Sequence, residues 1–334
     1  MHVVLVHDLI DAADGPDCQD VLVQTAAVAE ALRCLGHTTE RLACALDLAA
    51  LGRDLRDARA DLVFNLVESL DGRGSLIHLA PCCFDALGLP YTGCSADAMF
   101  LTSNKLLAKQ WMRAAGLPTP AWVELDSPLP ETIGPCDWIV KSVWEHASIG
   151  LNSDSVLRGL TAAEVRRLLP VRARLMGGPC FAEQYIEGRE FNLGLLAGPD
   201  DPAVLPPAEI VFADFPPGMA RIVDYQAKWE VDSFACRHTL RRTEFAAADR
   251  PLLDALDRIA RQCWQIFHLA GYARVDFRVD QEGRPWVLEV NANPCLSPDA
   301  GFAAALERAA IPFAEAVARI VAEALKPSTS EIQP

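Results

Sequence analysis

Two stretches, Tyr272-Ala-Arg-Val-Asp-Phe-Arg-Val-Asp280 and Trp286-Val-Leu-Glu-Val-Asn291, decide the fold. Both alternate with period two, as half-buried strands do, and Gln281-Glu-Gly-Arg-Pro285 between them is turn-forming, so they form a hairpin. With a two- or four-residue loop around Glu282-Gly283, Asp276 faces Glu289 and Arg274 faces Asn291. Val275, Phe277 and Val279 then share an apolar face with Trp286, Leu288 and Val290. A three-residue loop would slide one strand and remove that juxtaposition. Opposed carboxylates repel unless something positive sits between them. Mg2+ suits Asp, Glu and an Asn carbonyl, which are hard oxygen ligands. The alternative is a solvated outer face on which Arg274 pairs one carboxylate.

Upstream of the hairpin, the spacing predicts an amphipathic helix over residues 249–270 and strands at 138–143, 181–186 and 191–196. Thr161-Ala-Ala-Glu164 is a capping box opening a helix to Leu169, and another helix runs from Ser103 to about Ala115 before Gly116. Residues 199–207 and 215–218 read as loops. In the first hundred residues Val3–Val6 is a short strand, and Val21–Leu35 a helix. Asp61–Val67 is a buried strand, and Leu76–Leu87 a helix closed by Gly88. That alternation predicts a parallel α/β sheet, and no G-x-G-x-x-G follows the first strand to suggest a dinucleotide.

Composition narrows the partners. The 334 residues are 51% hydrophobic and 22% charged with a net charge of -15, which excludes a disordered chain and argues against nucleic acid or an anionic membrane. The first residues lack a basic segment and meet Asp8 early, and no apolar window of about 18 residues occurs, so a cytoplasmic location is expected. The 11 cysteines are scattered without any C-x-x-C and are expected to be reduced thiols. Only five of the 30 basic residues are lysines, at 105, 109, 141, 228 and 326, so each lysine is a candidate for a specific task.

Asn104-Lys105, Ile139-Val-Lys141, Glu183-Gln-Tyr-Ile-Glu-Gly-Arg-Glu190, Asp224-Tyr-Gln-Ala-Lys228, Ala273-Arg-Val-Asp276 and Leu288-Glu-Val-Asn-Ala-Asn-Pro294 follow one another in a familiar order. In that order and spacing the chain resembles the D-alanine:D-alanine ligase branch of the ATP-grasp ligases. The resemblance implies an α/β chain of ATP-grasp architecture. An N-terminal parallel α/β domain over 1–100 would precede two α+β subdomains, 101–185 and 186–326, that sandwich the nucleotide, with a disordered tail at 327–334. It also implies ATP and Mg2+, two ions with Mn2+ as a substitute, small amino acid or carboxylate substrates, and a homodimer.

By the same resemblance, Lys105 and Lys141 hold nucleotide phosphates and Ser148 lies in the loop covering them, taken as 143–151. Glu183, Gln184, Tyr185 and Ile186 line the adenine pocket, Glu190 binds ribose and Lys228 reaches the γ-phosphate. Asp276, Glu289 and Asn291 are the metal ligands, and Arg274 is the catalytic arginine with Lys228 beside it. Lys109 and Lys326 read as ordinary surface residues.

The match fails where that branch binds amino acids. The glycine pair and Ser-x-Glu expected after the first strand are absent from His7–Cys18, Ala147 replaces a loop serine, and Trp229 stands where a tyrosine is expected. Glu68, with Asp71 and Arg73, and Trp229, Ser297 and Asp299 are the substrate candidates; Asp299 reads alternatively as a helix cap. Trp144 and His146 could wall a larger substrate or pack the loop. The expectation is an amide-forming ligase acting through an acyl phosphate on substrates other than two D-alanines. A divergent D-alanine:D-alanine ligase and a non-catalytic nucleotide sensor are the alternatives.

Overall fold

The computed structural model describes residues 1–11, 13–129, 134–145 and 148–326. His146, Ala147 and the tail at 327–334 lie outside the described residues. The chain opens with β1 (His2–Asp8), α1 (Pro16–Cys34), β2 (Thr38–Cys44), α2 (Leu48–Ala58), β3 (Leu62–Leu66) and α3 (Leu79–Leu87). Their strands form a parallel sheet in the order β2-β1-β3. β1 and β3 are buried almost throughout and read plainly as apolar runs. The sequence reading passes over β2 because Thr-Thr-Glu-Arg-Leu-Ala-Cys is an edge strand with only Cys44 buried.

The helix predicted from Ser103 to about Ala115 is α5 (Lys105–Ala114), and a helix that was not predicted, α4 (Ala96–Ser103), ends just before it. Asn104 separates them: its extended backbone ends α4, while its side chain accepts hydrogen bonds from the N–H groups of Leu106 and Leu107 and so caps α5. Next come β4 (Trp122–Val123), β5 (Cys136–Ser142), β6 (Val156–Leu160), α6 (Ala162–Leu175) and β7 (Cys180–Gln184), an antiparallel sheet ordered β4-β7-β5-β6. The capping box at Thr161 and Glu164 is present at the start of α6. The helix runs past the expected end at Leu169, through Pro170, to Leu175.

The third group is β8 (Arg189–Leu196), β9 (Ala203–Val204), β10 (Ala208–Phe212), α7 (Tyr225–Trp229), α8 (Phe234–His238), β11 (Thr239–Arg242), α9 (Arg250–Ile266), β12 (Tyr272–Val279), β13 (Pro285–Asn291), α10 (Gly301–Arg308) and α11 (Phe313–Ala324). Its sheet runs β11-β10-β8-β12-β13, with β9 added on β8 inside a stretch read as loop. One face packs Phe191, Val275, Phe277 and Val287 against Leu256, Ala260 and Cys263 of α9. The other face is left for the site. Gly188, between β7 and β8, must be glycine, because a β-carbon there would stand 2.0 Å from the Val279 carbonyl oxygen.

The hairpin reaches its expected register by an unexpected route. Its turn is a three-residue loop: the Asp280 N–H donates to the Arg284 carbonyl at 3.0 Å, and Gly283 takes the left-handed conformation at φ +78°. Phe277 therefore faces Val287, and Arg278 faces Trp286, one residue off the predicted pairing. A bulge between Asp276 and Phe277 then corrects the slip, so that Asp276 faces Glu289 and Arg274 faces Asn291 as predicted. Val287 thus takes the core position assigned to Leu288, while Leu288, in the bulge, lines the cavity on the other face.

Candidate active site

β12, β13 and β8 assemble the acidic centre. Asp276 is only 6% exposed, which removes the solvated-face reading, although its Arg274 pairing is present. Arg274 forks onto Asp276, Nε to Oδ1 at 2.8 Å and Nη2 to Oδ2 at 2.9 Å. Asn192 of β8, missed in the sequence, donates to Asp276 at 2.7 Å, and Asn291 Nδ2 donates to Asp276 at 3.1 Å and to Glu289 at 3.3 Å. Burial pushes the Asp276 carboxyl up; Arg274 opposes the rise and Glu289 adds to it. Among the described residues no group of three or more His, Cys, Asp or Glu side chains is arranged to hold a metal ion. A cation here would have two carboxylates and an Asn291 oxygen, exposed by an amide flip, and would need phosphate and water for the rest. That donor set fits Mg2+.

Three cations, Lys105 and Lys109 buried and Lys141 half-buried, approach from the neighbouring elements. Lys105 opens α5, where its N–H donates to the Val143 carbonyl at 3.0 Å and its Nζ to the Glu145 carbonyl at 2.7 Å. Lys141 of β5 bonds Glu183 of β7. Lys109 is not the surface residue expected: it is 1% exposed, its Nζ lies 2.5 Å from Glu183 Oε2, and it donates to Thr119 at 2.8 Å. The signal was its place four residues after Lys105, on one face of α5. Burial alone would raise the Glu183 carboxyl, but Lys109 and Lys141 outweigh it and hold it below the usual range. Lys326 is exposed beside Glu323, as expected.

Lys105, Lys141, Glu183, Arg274, Asp276, Glu289 and Asn291 border one cavity of about 600 Å³, and Lys109 lies behind Glu183 outside its lining. Gln184, Tyr185 and Ile186 line it, as does Ser148, whose hydroxyl donates to the Val223 carbonyl at 2.7 Å. Glu190 lines it too, held by Arg278 through Nε at 2.9 Å. Arg278 was not singled out in the sequence.

At the far end the cavity meets Lys228, whose Nζ lies 4.9 Å from the ring centre of Trp229, together with Glu68, Cys295 and Asp299. Asp20, also missed, joins them because α1 starts at Pro16 instead of Val21 and turns Asp20 inward. Asp20 accepts from the Ser297 hydroxyl at 2.7 Å and the Cys295 thiol at 2.8 Å. Burial pushes that thiol up to about 12, so it stays a donor. Gln24 Nε2 donates to Glu68 at 2.5 Å, and burial, helped by the charge of Asp8, lifts the Glu68 carboxyl to about 7. Asp299 is no cap, since Ala300 holds that position without a side-chain bond. Asp71 and Arg73 pair with each other at 3.3 Å in solvent, and Trp144 packs on Phe100 away from the cavity.

The family model described as "D-ala D-ala ligase C-terminus" matches residues 132–322, more than half of the chain. A D-alanine–D-alanine ligase of Methylococcus capsulatus is 33% identical over 303 residues, covering 88% of each chain. The chain belongs to the D-alanine–D-alanine ligase family. A D-alanine–D-alanine ligase of Gloeobacter violaceus is 30% identical over 95% of this chain and 98% of its own. The D-alanine–D-alanine ligase structure from Bacillus anthracis superposes with a TM-score of 0.72 over 97% of both chains, at 18% identity, and shares the ATP-grasp fold.

As a member of this ligase family, the chain is an ATP-dependent enzyme that forms carbon–nitrogen bonds. All 11 cysteines are free thiols, as expected. Among the described residues no helix is long and apolar enough to cross a membrane.

Proposed function

We propose that this ligase joins the carboxylate of one amino acid to the amine of another through an acyl phosphate, and that its substrate pair is not two D-alanines. The reading rests on one observation: a nucleotide end built from lysines and carboxylates opens without interruption onto a substrate end of different chemistry, Asp20, Glu68 and Trp229. Lys105, Lys141 and Lys228 would hold the phosphates, with Ser148 in the loop over them. Glu183, being clamped between two lysines, would orient Lys141, while Gln184, Tyr185 and Ile186 face adenine and Glu190 the ribose.

Asp276, Glu289 and Asn291 would hold Mg2+, which when bound neutralises phosphate charge. Arg274 would stabilise the transferring phosphoryl group and then the tetrahedral adduct. Asp20 and Glu68 would receive the ammonium of the carboxylate substrate. Asp299 and Ser297 would shape the amine end, Ser297 by fixing Asp20. Closure over the cavity would keep water from the acyl phosphate. The segments 1–100, 101–185 and 186–326 would be the substrate domain and the two nucleotide-clasping subdomains of a cytoplasmic homodimer.

The test is ADP release with ATP, Mg2+ and panels of amino acids, with the product identified by mass. A second reading, a divergent enzyme that makes D-alanyl-D-alanine, is favoured by the names and coverage of the relatives. It predicts that D-alanine alone gives the best turnover.

A further inference from the structure

β11 contributes to the cavity a surface that the reaction so far leaves unused. Of the three arginines lining the cavity, Arg274 and Arg278 are locked to Asp276 and Glu190, whereas Arg241 has no ion pair among the described residues. Arg241 sits opposite Ile210 on β10 and is exposed. Its Nη2 reaches to 3.9 Å from where a β-carbon on Gly301 would stand, beside the segment that carries Asp299. Two residues earlier, and so on the same face of the strand, the Thr239 hydroxyl also lines the cavity. That oxygen is buried without a hydrogen-bond partner among the described residues. A buried hydroxyl left unsatisfied is unfavourable unless a ligand completes it, and a planar guanidinium presents a fork that matches a carboxylate.

We infer that Arg241 is a specificity-determining residue of this ligase, receiving a carboxylate of the amine-bearing substrate, with Thr239 on the same strand face as a further hydrogen-bonding group. The inference rests on the ligase reading above and deepens it. It requires an amine substrate that is itself a carboxylate, such as an amino acid, and it disfavours simple amines. Arg241 is well placed to select without taking part in the chemistry, because the reacting centre lies at Arg274 and Asp276 on β12.

The test takes the best amine substrate from the amino acid panel and compares it with its own carboxamide, in the wild type, Arg241→Met and Arg241→Lys. Arg241→Met should raise KM for the amino acid by about 10- to 100-fold, leave KM for ATP unchanged, and have little effect on turnover of the carboxamide. Arg241→Lys should recover part of the loss. Because Arg241 is exposed, neither variant should disturb folding. Wild-type turnover with an unchanged amine KM in Arg241→Met, or an equal loss with the carboxamide, would overturn the assignment of Arg241 alone. Absence of ADP release by the wild type with every amino acid would overturn the ligase reading and this inference with it.

Discussion

The two ends of the cavity handle charge in opposite ways. At the end proposed for the nucleotide, Glu183 is clamped between Lys109 and Lys141, and Asp276 is forked by Arg274, so these two buried carboxylates meet an opposite charge before any ligand arrives. At the end proposed for the substrate, Asp20 and Glu68 hydrogen-bond to neutral partners, Ser297, Cys295 and Gln24, while the charge of Lys228 acts on Glu68 from nearby. Carboxylates hydrogen-bonded to neutral donors keep a demand for a directly bonded positive charge, which burial sharpens. The first arrangement suits a site whose geometry must be rigid before a polyanion enters. The second suits a site that waits for an ammonium.

Removing a charge from the nucleotide end should have the largest effect. Glu289→Gln should lower ADP release by at least about 100-fold with every substrate while leaving the thermal midpoint nearly unchanged. Unaltered turnover would break the metal assignment. Lys109→Met leaves Glu183 short of one buried partner, and should destabilise the fold by about 3–5 kcal/mol and raise KM for ATP, read by denaturant titration and initial rates. Adding Glu183→Gln to that variant should restore part of the stability, because the two charges are coupled.

The substrate end should respond more gently, and with pH. The Glu68 carboxyl is raised to about 7 from the ordinary 4.5, so the folded protein binds its proton more tightly than the unfolded chain. Stability from this group is therefore full below 4.5 and is lost as pH rises toward 7. An ammonium needs the ionised form, so KM for the carboxylate substrate should fall as pH rises through about 7. Glu68→Gln should flatten both trends, and a wild-type KM that rises with pH would contradict the ammonium role. Asp20→Asn should raise the same KM by about 10-fold without moving KM for ATP.

The same contrast explains what could be read in the sequence. Strands buried on one or both faces announced themselves by pattern, as in β1, β3, β8 and β12, and the capping residues of α6 were visible directly. What escaped was set by long-range packing. Lys109 looked like a surface lysine because its partner lies on β7, and Asp20 was passed over because the start of α1 depends on Pro16 and not on hydrophobic spacing. The hairpin shows the limit most clearly. Alternation placed Asp276 opposite Glu289, but it could not show that a three-residue loop and a bulge offset one another to achieve it.

If these nucleotide-end charges serve a substrate pair other than two D-alanines, kcat/KM for ADP release, measured with product mass for D-alanine alone and for a panel of L- and D-amino acid pairs, will be higher for another pair and will yield its amide. D-alanyl-D-alanine as the best product would contradict that reading.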